Sequence, residues 1–231
     1  MGESGDRFAP GSLLAALLDL VVPLVCGGCG RPGVSWCAGC ARRLDDAPRL
    51  VRPRVRVGVP VWTIGAYRDP MRSAIVGVKE RHRRDLVAPL GGALVRCLSI
   101  LDRWGELPDA RRLVLVPAPT RALAARRRGG DPVEAYCRAA AVGIGGGAHV
   151  APLLRTRALV RDSAGLSAGE RSANLRGAVR LRTTSAPVDR SCAVVLVDDV
   201  VTTGATIAES VRVLRHHGVP VDLAVALAAA D

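Results

Sequence analysis

Apolar positions along the chain fall into two kinds of run. At 61–67, 113–116, 193–197 and 220–227 they are continuous and short, as in strands buried on both faces. At 69–79, 85–101, 131–142 and 206–217 they recur with a helical period, in segments long enough for three or more turns. Asp131 followed by Pro132 marks a helix start, and Gly218 after His216-His217 marks a helix stop. The alternation of strand and helix predicts an α/β fold with a mostly parallel sheet flanked by helices. Before it, Pro48, Pro53 and Pro60 interrupt any helix across 42–60. We read residues 1–57 as an apolar helix, a small cysteine module and a basic linker, and 58–231 as the main domain.

The longest apolar run, 13–25, contains Asp19 and Pro23. It is shorter than the ~20 residues that span a bilayer, so no membrane span is expected. Glu3, Asp6 and Arg7 leave the segment before it near neutral, unlike a signal peptide. Leu13, Leu14, Leu17, Leu18 and Val21 share one helical face, which predicts an amphipathic helix. These features point to a cytoplasmic protein.

Seven cysteines include the run Cys26-x2-Cys29-x7-Cys37-x2-Cys40. Two such knuckles supply four thiolates to one tetrahedral Zn²⁺. Disulfides are the competing reading, disfavoured in a reducing compartment. Four thiolate ligands leave no open position for water, so the zinc is structural. Cys97, Cys137 and Cys192 lie in apolar stretches and read as small core residues.

The 231 residues carry 33 basic and 21 acidic side chains, a formal charge of +12. All the basic residues are arginine except Lys79. Such a balance suits phosphate or nucleic-acid ligands. With six aromatic residues, few platforms are offered for stacking bases. Lys79 opens the basic run Lys79-Glu80-Arg81-His82-Arg83-Arg84, read here as a solvated face.

The stretch 194–206 ends an apolar run in Asp198 and Asp199, followed by Thr202-Thr203-Gly204-Ala205-Thr206 and a helix. Ligands bind α/β sheets at such strand ends. Backbone N–H groups of 203–206, with the hydroxyls of Thr202, Thr203 and Thr206, suit a phosphate at a helix N-terminus. Asp198 and Asp199 are placed for sugar hydroxyls or for the water shell of a Mg²⁺ ion. The loop is not a Walker A loop, having neither GxxxxGK nor a lysine.

This motif resembles the phosphoribosyl pyrophosphate (PRPP) site of type I phosphoribosyltransferases. With the four cysteines, Tyr67-Arg-Asp-Pro-Met-Arg, Val78-Lys79, Val114-Leu-Val-Pro117-Ala118-Pro119 and Leu166-Ser-Ala…Glu170-Arg171…Asn174-Leu175, the likeness over essentially the whole chain is to the ComF family of competence-associated proteins. The resemblance implies a phosphoribosyltransferase-like fold in which Asp198 and Asp199 contact ribose. Thr202, Thr203, Gly204, Ala205 and Thr206 would hold the 5′-phosphate. Pro117, Ala118, Pro119 and Arg121 would form the pyrophosphate loop, with Mg²⁺ accompanying PRPP. Arg126, Arg127 and Arg128 are further candidates for the phosphate clamp, while Arg155, Arg157, Arg161 and Arg171 flank the Leu166 segment. The usual R-G-F-N-Q reads Arg128-Gly129-Gly130-Asp131-Pro132 here.

Two functions are therefore expected. One is a PRPP-binding protein that transfers phosphoribosyl to an unidentified acceptor; no segment for recognising a nucleobase is evident. The other is a non-catalytic accessory protein in DNA uptake or processing that keeps the pocket. In that case the zinc module and the linker arginines Arg42, Arg43, Arg49, Arg52, Arg54 and Arg56 would face single-stranded DNA or DNA-processing proteins.

Overall fold

A computed structural model of the chain describes residues 24–120, 130–157, 177–182, 188–189 and 191–230. After a short helix α1 (Ala38–Arg42) come β1 (Arg49–Val51), β2 (Val61–Ala66), α2 (Met71–Arg81) and α3 (Val87–Arg103). Next are β3 (Arg112–Pro117), α4 (Pro132–Ile144), β4 (Ala148–Val150), β5 (Leu154–Thr156) and β6 (Val179–Leu181). The last elements are β7 (Cys192–Val201), α5 (Ala205–His216) and β8 (Leu223–Ala229).

Six strands form one sheet in the order β1-β2-β8-β7-β3-β4. β1 is antiparallel to β2; every other pairing in that sheet is parallel. β5 and β6 make a separate antiparallel pair. The α/β reading with a mostly parallel sheet and flanking helices therefore holds.

The continuous apolar runs are explained by two cores, one on each sheet face. On one side Val195, Val197, Leu223 and Val225 meet Ile75 of α2, Leu90 and Leu94 of α3 and Tyr136 of α4. On the other, Val194, Leu196, Ala224 and Ala226 meet Ile207, Val211 and Leu214 of α5. Alternate residues of β7 and β8 thus feed opposite cores, so neither strand has a polar face in its middle. Gly91 lets α3 and α4 approach closely, since a Cβ there would lie 2.5 Å from that of Ala139.

Local signals operate as expected at two helix ends. The Asp131 carboxylate accepts the N–H groups of Val133 and Glu134, with Pro132 at the first helical position. Gly218 has φ 76° just beyond α5, in the left-handed region that glycine occupies without penalty. Within 42–60, read as a connection, Arg49–Val51 is an edge strand of the sheet. The amphipathic helix expected over 13–25 lies almost wholly outside the described residues; Val25 pairs with Pro32 beside the cysteines.

The strand read as ending at Val197 is longer. β7 continues through both acids to Val201, with Asp198 opposite Ala226 and Val201 opposite Ala229. Backbone pairing to β8 carries the strand past the point where apolar side chains stop, because ladder hydrogen bonds do not depend on side-chain polarity.

Candidate functional site

The four cysteines converge. Their sulfurs all lie within 4.8 Å of one another, with Cys26 to Cys40 and Cys29 to Cys37 both at 3.7 Å. Thiolates held tetrahedrally at about 2.3 Å from one ion would stand about 3.8 Å apart, so the donor set fits such a centre. Each knuckle prepares its sulfurs through backbone N–H groups: that of Cys37 donates to Cys26 Sγ at 3.3 Å, that of Cys40 to Cys37 Sγ at 3.4 Å. Burial works against a thiolate at Cys26, yet N–H groups of Cys29, Cys37 and Gly28 and the Cys40 thiol bring its pKa down to about 6. The Cys40 N–H likewise lowers Cys37, while burial and the neighbouring thiols push Cys40 up. Four thiolates gathered this closely repel one another, so a cation at their centre would let all four ionise together.

The module is anchored by Arg83, whose guanidinium donates to Val25 O at 2.9 Å and pairs with Asp85 at 2.6 Å. Cys97 and Cys137 sit in the main core, where burial raises both thiols, Cys97 to about 12. Cys192 is buried in the second core. All three are packing residues, as expected.

The second site is built where β3 and β7 end side by side. Pro117 is in register with Val197, and the Ala118 N–H continues the ladder by donating to Val197 O at 2.7 Å. Pro117, Ala118 and Pro119 are thereby set beside Asp198 and Asp199. Thr202 to Gly204 form the turn after β7, and Ala205 and Thr206 begin α5. Gly204 caps this helix with φ 81° and without a side-chain cap. The N–H groups of the first turn therefore have no intrahelical partners, except that the Ala205 N–H makes a 3.4 Å contact to Thr203 Oγ1. Arg121 lies outside the described residues, as do Arg126, Arg127, Arg128, Arg161, Arg171 and Asn174. Arg155 lies within β5, opposite Arg180 of β6, and Arg157 follows the strand; Thr156 between them donates its hydroxyl to Thr120 O at 3.0 Å, next to the loop after β3.

The acids are electrostatically unequal. Asp199 is buried and pairs with Lys79 Nζ through Oδ2 at 2.5 Å. Asp198 accepts the N–H of Asp199 at 2.8 Å. Burial, then the neighbouring Asp199 charge, pushes the Asp198 carboxyl up to about 7, against the opposing pull of that N–H and Lys79.

Three residues of this region were not legible in the pattern. Lys79, taken as the start of a solvated basic face, turns inward to Asp199; being the sole lysine among arginines was its one mark. Asp131, read as a helix cap, also accepts the Thr120 hydroxyl at 2.8 Å and so ties the loop after β3 to α4. Pro53 lies on Gly204, and the Val55 N–H donates to Thr203 O at 2.9 Å, so the segment after β1 covers one side of the threonine turn.

No helix among the described residues is long and apolar enough to cross a membrane. No family model matches the chain. It is similar to the DNA utilization protein YhgH of Salmonella typhi, 31% identical over 198 residues that cover 84% of both chains. Against the YhgH protein of Escherichia coli K12 the identity is 31% over 196 residues, covering 84% of this chain and 79% of the relative. The Salmonella typhimurium protein of the same name is 29% identical over 194 residues, with the same coverage.

Proposed function

Since the chain belongs to the family of the DNA utilization protein YhgH, we propose that it serves DNA uptake or utilisation as a ComF-like protein that binds PRPP with Mg²⁺. What carries this reading is one juxtaposition: the Asp-Asp-x-x-Thr-Thr-Gly-x-Thr run of β7 and α5 lies beside the Pro117–Pro119 turn of β3, all at the carboxyl ends of parallel strands.

In this reading Asp198 and Asp199 accept the ribose hydroxyls. The N–H groups at the start of α5, with the hydroxyls of Thr202, Thr203 and Thr206, take the 5′-phosphate. Pro117, Ala118 and Pro119, with Arg121, receive the pyrophosphate. Mg²⁺, held mainly by PRPP oxygens and water, would neutralise part of the charge that grows as pyrophosphate leaves. The protein's own contribution to phosphoribosyl transfer is positioning and fixed dipoles. Cys26, Cys29, Cys37 and Cys40 would hold a structural Zn²⁺, in a cytoplasm where thiols stay reduced.

Calorimetry with PRPP and Mg²⁺ tests the reading. Micromolar binding, about −8 kcal/mol, is expected for the wild type and none for Asp198→Asn/Asp199→Asn. Equal heats from both proteins would refute it.

A second reading, an accessory protein that binds single-stranded DNA without turnover, is favoured by the arginines within and after β1. Arg49, Arg52, Arg54 and Arg56 are all exposed. Fluorescence anisotropy with a labelled oligonucleotide should then show affinity falling steeply with salt. Salt-independent binding would count against phosphate contacts.

A further inference from the structure

Lys79 is the sole lysine in a chain with 33 basic residues, and it sits in the last turn of α2. A basic side chain there would ordinarily face water, where the helix dipole favours it. Instead its ammonium reaches Asp199 Oδ2 at 2.5 Å, with the carboxylate side chain 9% exposed and the ammonium side chain 26%. Asp199 adjoins Asp198, which accepts the Asp199 N–H. Asp131, at the start of α4, adds its own negative field at Asp198. Three carboxylates thus converge on the strand ends from β7 and α4, and Lys79 brings a cation to them from α2.

Neighbouring carboxylates in a partly buried site repel, and a phosphorylated sugar entering there is itself an anion. A compact ammonium suits this position better than a guanidinium. It offers a point charge on a flexible stem, while a planar fork needs more room. We infer that Lys79 is a positioning residue of the strand-end site, holding the Asp199 carboxylate in place and offsetting one negative charge, so that the site accepts an anionic sugar phosphate. The identity of that ligand rests on the PRPP reading above; the pairing itself does not.

The single lysine makes the test direct. In protein labelled with ¹³C and ¹⁵N lysine, Lys79 is assigned without mutation. Its side-chain resonance is expected to shift as the neighbouring Asp198, whose carboxyl is pushed up to about 7, exchanges its proton, and to differ from that of free lysine. A resonance that stays at the free value throughout overturns the pairing, whether or not PRPP binds. In Lys79→Met, checked for folding by thermal unfolding, PRPP affinity measured by calorimetry should fall tenfold or more at pH 8. The loss should be smaller at pH 6, where a carboxyl proton does part of the work of the ammonium. Lys79→Arg should recover only part of the affinity, and Lys79→Gln serves if the methionine variant does not fold. Wild-type affinity in these variants, or a loss independent of pH, overturns the positioning role. Should the wild type itself not bind PRPP, the ligand reading fails while the lysine resonance still decides the pairing.

Discussion

Pro53 packs against Gly204 so closely that a Cβ on Gly204 would lie 2.4 Å from the Cβ of Pro53. One residue belongs to the segment after the edge strand, the other to the turn between β7 and α5. The turn of the proposed phosphate site is therefore held from outside by a proline that the apolar pattern assigns to a connection.

Gly204→Ala should be costly for two separable reasons. The left-handed φ of 81° penalises an L-residue by about 1–2 kcal/mol, and the overlap with Pro53 adds about 1–3 kcal/mol. Urea unfolding of Gly204→Ala, Pro53→Gly and the double variant should give a coupling of at least about 1 kcal/mol, with Pro53→Gly removing the Cβ that overlaps but not the backbone strain at Gly204. Strict additivity would show that the two residues do not press on each other.

Asp198 makes stability depend on pH in a defined direction. Its folded pKa, about 7, lies above the unfolded value of about 3.9. The folded state then binds more protons between those values, so this carboxyl's contribution is fully present below about pH 4 and is lost as pH rises to about 7. Asp198→Asn should match the wild type near pH 4 and exceed it at pH 8 by on the order of 1–2 kcal/mol. Denaturation midpoints across this range decide it, and a variant less stable than the wild type at pH 8 refutes the assignment.

Asp131→Ala removes the cap on α4 and the hydroxyl contact from Thr120 together. A loss of about 1–3 kcal/mol is expected, of which Thr120→Val should reproduce only the part due to the loop contact. Amide hydrogen exchange should show faster exchange at Val133 and Glu134. Unchanged exchange there would mean that the carboxylate does not hold the helix start.

Metal removal should act on the cysteine module first. Purified protein is expected to hold about one zinc per chain, measured by plasma mass spectrometry, and Cys40→Ser to hold far less. Chelation should expose Cys26, Cys37 and Cys40 to a thiol reagent while Cys97 and Cys137 stay protected in the main core. Equal reactivity of the four cysteines with and without chelator would exclude a metal-held module.

Much of the fold was legible because the central strands β2, β3, β7 and β8 are buried over most of their length and the long helices bury one face, so the pattern of apolar positions carries the class directly. Ala193–Val197 could be read as a central strand for that reason. Its extension through Asp198 and Asp199 could not, since that is decided by the backbone of β8 alongside. The edge strand Arg49–Val51 was hidden likewise: three residues flanked by arginine and proline acquire strand geometry only by pairing with β2.

The candidate site divides along the same line. The chemistry is local: four cysteines at knuckle spacing and two acids before a threonine-glycine turn are readable because neighbours in the chain supply donors that must act together. The electrostatic setting is not local. Lys79 is 120 positions away from Asp199, Asp131 reaches Thr120 across a loop, and Pro53 covers Gly204 from another edge of the sheet. By itself, then, the order of residues determined the α/β class, the four-cysteine cluster and the two acids before a threonine-glycine turn. Only the tertiary structure decided which charge compensates which and what presses on the turn, because those depend on distances between elements that the chain brings together only when both cores close.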